Sequence, residues 1–304
     1  MKLFPMGGKR RLIGIGLTTA MVAAAGLMSA LPVSAAAAAG PAANGTYLAL
    51  GDSVAFGYVP PDAVPAPNYQ SANSFVSYPE DVGQALRLGV WNASCPGETT
   101  ASMLVPGTQS NGCENSLSGS PGYRTLYPLH VQYQGTQMDY ALKYLAAHRH
   151  TQLVTIDVGA NDAFLLESRC QDVPACIMAG LPALLKEIAA NLATIYHEIR
   201  DVAGYRGLLV ALTYYSTNYN DSATVGLITQ LNNVITSATE AAGGKVANGF
   251  DAFLAGSGTS GDPCAAGLLI KPPDETTCNI HPSPAGHLLL AQAIEDVVGV
   301  LPPK

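Results

Sequence analysis

Cationic residues are scarce in this 304-residue chain: 15 lysines and arginines stand against 22 aspartates and glutamates, and only 12% of residues are charged. Phosphate backbones are held by clustered Lys and Arg, so the composition argues against a nucleic-acid partner. Cys-x-x-Cys does not occur among the six cysteines, and the six histidines are scattered. Neither pattern suits zinc spacing, and we expect no metal and no cofactor. Gly-x-Ser-x-Gly is also missing, which argues against the strand-to-helix elbow of the α/β-hydrolases. There is no internal repeat and no inter-domain linker, and no second membrane-spanning run follows the first forty residues.

What is present begins with an address. Lys9-Arg10-Arg11 form a basic start, Leu12 to Leu31 is apolar, and Val33-Ser34-Ala35 supplies the small residues of a cleavage site. We read residues 1–39 as a signal peptide with a small-residue linker and 40–304 as one exported, soluble domain, expected to be a monomer. Cleavage would take Lys2, Lys9, Arg10 and Arg11 from the 15 cations, leaving 11 against 22 acids, a net charge of about −11. All six cysteines lie in the mature part, and six in an exported chain suggest three disulfides. Fifteen connectivities are possible. Pairing of neighbours, Cys95–Cys113, Cys170–Cys176 and Cys264–Cys278, is favoured because each closes a local loop.

Short apolar runs then alternate with helix-period segments. Strands are expected at Tyr47–Leu50, Val90–Ala93, Gln152–Val158, Leu208–Thr213 and, more weakly, Lys245–Ala247. Helices are expected at Pro79–Leu88, Gln137–Ala147, Pro182–Val202, Thr224–Ala242 and Pro284–Val300. This alternation implies an α/β fold with a doubly wound parallel sheet. The passage from Glu98 to Tyr133 is rich in Gly, Ser and Asn with little periodicity; together with 216–223 it is expected to shape the binding site.

The first strand breaks into Gly51-Asp52-Ser53. Taken alone, the serine could merely cap the next helix, as serine favours that position. Asn92 to Gly97 follows the second strand, however, and Gly159-Ala160-Asn161-Asp162 the third. In a doubly wound sheet the carboxyl ends of the strands share one crevice, so these residues converge. A serine hydroxyl needs an adjacent base, and a histidine with its ordinary pKa suits the task. His281, in the loop before the last helix, can reach that edge; His130, in the long loop, is the remaining alternative. His148 and His150 precede the third strand, at the far edge, while His197 and His287 fall within helices. Developing charge on a carbonyl oxygen would be met by the Ser53 and Gly97 amides and the Asn161 side chain.

GDSVAFGY, NASCPGETT, GAND and IHPSPAGH, in that order, resemble the four blocks of the SGNH hydrolases, also called GDSL esterases and lipases, across nearly the whole mature chain. The Asn-x-x-Cys-x-Gly-x-Thr-Thr form with six cysteines is most similar to the exported actinobacterial branch. The resemblance implies a flavodoxin-like three-layer α/β/α sandwich with strand order 2-1-3-4-5, and hydrolysis of small or lipid carboxylic esters through an acyl-serine. By motif it implies Ser53 as nucleophile, His281 as base, and Ser53, Gly97 and Asn161 around the oxyanion. Deacetylation of polysaccharide, acyl transfer, or a weakly active lipid- or glycan-binding module are the alternatives on the same fold.

One position departs from the pattern. The aspartate usual three residues before the histidine is Cys278 here. A main-chain carbonyl is expected to accept the Nδ1 proton instead, ahead of Asp274 or Glu275 folding back. Two further features are set aside. Gly256 to Gly261 fits G-x-G-x-x-G but leads into Asp262-Pro263-Cys264, whereas a dinucleotide site needs a following helix. Asp157, inside the third strand, is read as a structural hydrogen-bonding partner.

Overall fold

Tyr47 to Leu50 and the pair Leu153-Val154 have no surface exposure at all. A strand covered on both faces has no wet side to fill, which is why both runs are continuously apolar. In the computed structural model, which describes residues 45–299, these runs form the centre of one five-stranded parallel sheet. Its strands are β1 (Gly45–Gly51), β2 (Leu88–Asn92), β3 (Thr151–Asp157), β4 (Leu208–Leu212) and β5 (Lys245–Ala247), in order 2-1-3-4-5. Tyr47 is buried in β1, and its hydroxyl is satisfied 2.6 Å from Thr155 Oγ1 of β3. The signal peptide and linker expected over residues 1–39 lie outside the described residues.

The helices are α1 (Ser53–Phe56), α2 (Tyr78–Leu86), α3 (Thr100–Leu104), α4 (Tyr123–Leu126), α5 (Gln137–Ala147), α6 (Ala160–Arg169), α7 (Pro174–His197), α8 (Ser222–Ala241), α9 (Gly249–Gly256) and α10 (Pro284–Val298). On one side of the sheet α10 packs against α2 and α9; on the other α7 packs against α6 and α8. The expected flavodoxin-like topology is therefore the one observed.

Helix α7 starts at Pro174, eight residues before the expected start at Pro182. Proline suits the first turn of a helix, and an interior one frees the carbonyl four residues back. Here that carbonyl belongs to Met178, on a stretch where Met178 and Pro182 are both exposed, so water can take the bond. With the turn continuing it to Val202, α7 is the one helix among the described residues long and apolar enough to cross a membrane, with hydropathy 1.4. Its Ile177, Leu181, Ile188, Leu192, Ile195 and Tyr196 are nevertheless buried in the fold.

All six cysteines are paired as neighbours: Cys95–Cys113, Cys170–Cys176 and Cys264–Cys278, with Cα atoms 5.5–5.6 Å apart. The first pins the start of the long passage after β2, the second joins α6 to α7, and the third closes the loop that leads to His281.

Candidate active site

Gly51 ends β1 with φ +149°, and a Cβ there would run into the Asp157 carboxylate at the end of β3. The close approach lets the Asp52 amide donate to the Asp157 carbonyl at 3.1 Å and turns the chain into α1. The cap of α1 is Asp52, whose Oδ1 accepts from Val54 N at 2.9 Å. Ser53 is the first helical residue, so its hydroxyl is not engaged in capping. Its backbone N–H belongs to the first turn, where helical amides lack intrahelical acceptors.

Ser53 Oγ lies 2.9 Å from His281 Nε2. On the other side of the ring, His281 Nδ1 lies 2.5 Å from Asn279 Oδ1. The His281 main-chain N–H donates to that same oxygen at 3.1 Å. One donor of fixed character identifies the atom as the amide oxygen, so Nδ1 must carry its proton and Nε2 presents a lone pair to the serine. The orienting acceptor is thus a side-chain amide two residues before the histidine, not the expected main-chain carbonyl. Asp274 and Glu275 stay exposed. Burial lowers the His281 pKa to about 4, with no bonded charge to offset it.

The loop carrying His281 is held on both sides. Asn279 N donates to Ile270 O at 2.7 Å, Ile270 N to His281 O at 3.0 Å, and Ser283 N to Leu268 O at 2.9 Å. Tyr215 OH donates to Ile280 O at 2.7 Å, and the Tyr58 ring packs 4.8 Å from the imidazole. His130, the alternative base, is bonded instead to Phe56 O at 3.0 Å. His148 bonds Tyr144 O, His197 pairs with Asp201 on the surface, and His287 is buried in α10.

Asn161 opens α6 and is buried. Its Oδ1 accepts from Asn111 Nδ2 at 2.9 Å, and its Nδ2 donates to Asp52 Oδ2 at 3.2 Å. An amide nitrogen has two protons, so one is left for another acceptor. Gly97 follows β2 with φ +85°, in a turn where a Cβ would come within 2.6 Å of Asn111 O. Gly97 O accepts from Asn111 N at 2.8 Å, so Asn111 links Gly97 to Asn161. Cys95 N donates to Gly51 O at 3.1 Å and draws this turn towards Ser53.

Beneath the serine lies a buried pair of carboxylates. Asp52 Oδ2 also accepts from Tyr214 OH at 2.7 Å, and burial lifts its pKa to about 6 against those donors. Asp157 is raised well above the usual carboxylate range, by burial and then by the charge on Asp52, and accepts from Tyr78 OH at 3.1 Å. Both oxygens of Asp52 accept hydrogen bonds while Asp157 Oδ2 has no hydrogen-bond partner, so the negative charge rests on Asp52 and the proton on Asp157. Asp162 ties α6 to the turn after β2 by accepting from Thr100 N at 2.9 Å and Thr100 Oγ1 at 2.6 Å.

Ser53, Asn161 and His281 line one crevice of about 100 Å³ that continues between α6, α7 and α8. Of the two segments expected to shape it, 216–223 contributes Thr217, whereas no residue from Glu98 to Tyr133 is on its wall. The expectation for that passage is corrected: the cysteine-pinned loop buttresses Asn161 through Asn111. Asn111, Tyr214 and Asn279 were not legible as site residues. Asn279 alone had a local signal, an amide two positions before the histidine.

No curated protein matches the chain. Among solved structures the same fold recurs at low identity. An acetylxylan esterase from Geobacillus stearothermophilus is 18% identical, with TM-score 0.50, 84% of this chain and 96% of that one covered. A phospholipase A1 from Streptomyces albidoflavus NA297 is 18% identical, with TM-score 0.53, covering 83% and 99%. An alpha/beta hydrolase enzyme from the metagenome of Lake Arreo, Spain, is 15% identical, with TM-score 0.50, covering 86% and 98%. By sequence, residues 49–289 match the GDSL-like Lipase/Acylhydrolase family. That span opens just ahead of Ser53 and closes just beyond His281, taking in the serine, the imidazole and everything bonded between them: the chain belongs to this family.

Proposed function

We propose that the protein is a secreted serine ester hydrolase in which Ser53 and His281 act as a dyad oriented by Asn279. Ser53 Oγ attacks the ester carbonyl while His281 Nε2 takes its proton. The imidazolium so formed keeps its Nδ1–H on Asn279 Oδ1. The Ser53 and Gly97 amides and the free Asn161 amide proton receive the oxyanion. Collapse of the tetrahedral adduct returns the proton from Nε2 to the leaving alcohol and leaves an acyl-serine. Water then repeats the sequence, giving the carboxylic acid and free Ser53.

The observation that carries this reading is the unbroken relay Ser53 Oγ, His281 Nε2, His281 Nδ1, Asn279 Oδ1 at 2.9 and 2.5 Å. Export is supported by three disulfides, which persist in oxidising surroundings. The test is turnover of p-nitrophenyl esters by wild type, Ser53→Ala and His281→Ala, with labelling by a serine-directed phosphonate. Both variants should lose turnover, and the label should sit on Ser53. Equal rates in wild type and Ser53→Ala would end the proposal.

A further inference from the structure

The crevice beside Ser53 extends well past the reacting groups. Its apolar walls include Leu166 of α6, Ile177, Leu184 and Ile188 of α7, and Ile228 and Leu231 of α8. Beyond the reacting end the polar exceptions are Glu167, Thr217, Thr224 and two tyrosines. At the inner end Ala160 and Asn161 line the crevice, and a Cβ on the adjoining Gly159 would lie 3.2 Å from Leu231 and 3.8 Å from Ile188. Ile177, directly after the Cys170–Cys176 disulfide, is the lining residue nearest the start of α7. Leu184, Leu227 and Ile228 line the crevice and remain partly exposed although α7 and α8 pack on each other. Glu167 is the one carboxyl side chain on these walls beyond the reacting end, and burial raises its pKa to about 7. From Pro174 to Leu185 and from Ser222 to Thr239 there is no charged residue.

We infer that this crevice is an acyl-binding channel, and that the preferred substrates are esters of unbranched acids of about eight to twelve carbons rather than acetates. The inference rests on the hydrolytic reading of Ser53. The length of the lining sets the chain. Ile177 and Ile188 are eleven residues apart on α7, or about 16 Å of helix. An extended alkyl chain advances about 1.25 Å per carbon, given bonds of about 1.5 Å in a zigzag, so about a dozen carbons span that distance. An acetyl methyl would occupy only the inner end, leaving the remaining apolar wall against water. A sugar would find few partners for its hydroxyls along these walls, and burying them unpaired is costly. The acyl part therefore enters here, and the alcohol leaves on the opposite, Tyr58 side of His281.

Each methylene buried on such a wall is worth about fourfold in binding, reduced where the channel stays open. The experiment measures kcat/KM for p-nitrophenyl acetate, butyrate, octanoate and decanoate with wild type, Ile228→Trp and Leu184→Asp. Wild type should prefer octanoate or decanoate to acetate by at least tenfold. Each variant, one filling the channel and one charging it, should lower the octanoate-to-acetate ratio at least tenfold. A profile that is flat or falls with chain length overturns the inference, as does an unchanged ratio in folded variants. Decanoate binding to Ser53→Ala, followed by calorimetry, decides the matter without turnover or channel variants: saturable binding supports the channel, and its absence overturns it. If no ester is turned over and phosphonate does not label Ser53, the hydrolytic reading fails separately from the channel.

Discussion

Replacing Asn279 with aspartate should strengthen the base. Asn279 Oδ1 accepts from both His281 Nδ1 and His281 N, and aspartate is nearly isosteric, so both bonds survive. What is added is a negative charge against the imidazole. An opposite charge at that range raises a histidine pKa by about one to three units, or about 1.4–4 kcal/mol in favour of the imidazolium. From the value of about 4 that burial imposes, the variant should titrate between about 5 and 7. Only the neutral ring can take the serine proton, so kcat/KM falls as pH drops through this pKa. At pH 5 wild type should keep about nine-tenths of its plateau, and Asn279→Asp about half or less. On the plateau the added charge stabilises the imidazolium formed in the transition state, and kcat should rise about tenfold. The assay is a pH–rate profile with a soluble p-nitrophenyl ester, with melting followed at each pH to separate inactivation from titration. A wild-type acid limb near the ordinary histidine value, or a limb that stays put in folded Asn279→Asp, would refute the reasoning.

Three further outcomes follow from the same geometry. Asn161→Ala removes an oxyanion donor and should lower kcat by about 10²–10³ with a smaller change in KM, measured by steady-state kinetics. Gly97→Ala places a Cβ within 2.6 Å of Asn111 O at a φ that disfavours a side chain; we expect kcat to fall by more than tenfold, with added exchange broadening at Asn111 and Asn161 in NMR spectra. The double change of Cys264 and Cys278 to serine opens a loop of separation 14. It should cost about 3 kcal/mol and lower Tm by about 6–12 °C; activity lost with melting unchanged would contradict a bracing role for this disulfide.

Much of the frame was legible because its causes are local. Runs such as Tyr47–Leu50 have one reading once both faces of a strand must be covered, and Gln137–Ala147 begins and ends where its cap and periodicity place it. The disulfides were legible because neighbouring cysteines close short loops. Long-range bonds were not. Tyr214 reaches Asp52 across 162 residues, and Asn111 reaches Asn161 across 50; nothing in either neighbourhood points to its partner. Pro182 misled for a different reason. Proline signals a helix start, and only exposure of Met178 makes an interior one tolerable. The crevice was not legible because no helix is expected after the Gly-Ala-Asn-Asp block, whereas α6 begins inside that block and supplies part of the wall.

The Asp52 carboxylate is bonded at once to α1, to Asn161 beyond β3 and to Tyr214 beyond β4. Three strand ends are thereby tied to one hub, which fixes the serine turn and the Asn161 amide relative to each other. The crevice walls on α7 and α8 lie outside that hub, and their Leu184, Leu227 and Ile228 stay partly exposed. Under the proposed chemistry, those walls can drift to suit new acids while the reacting atoms keep their alignment.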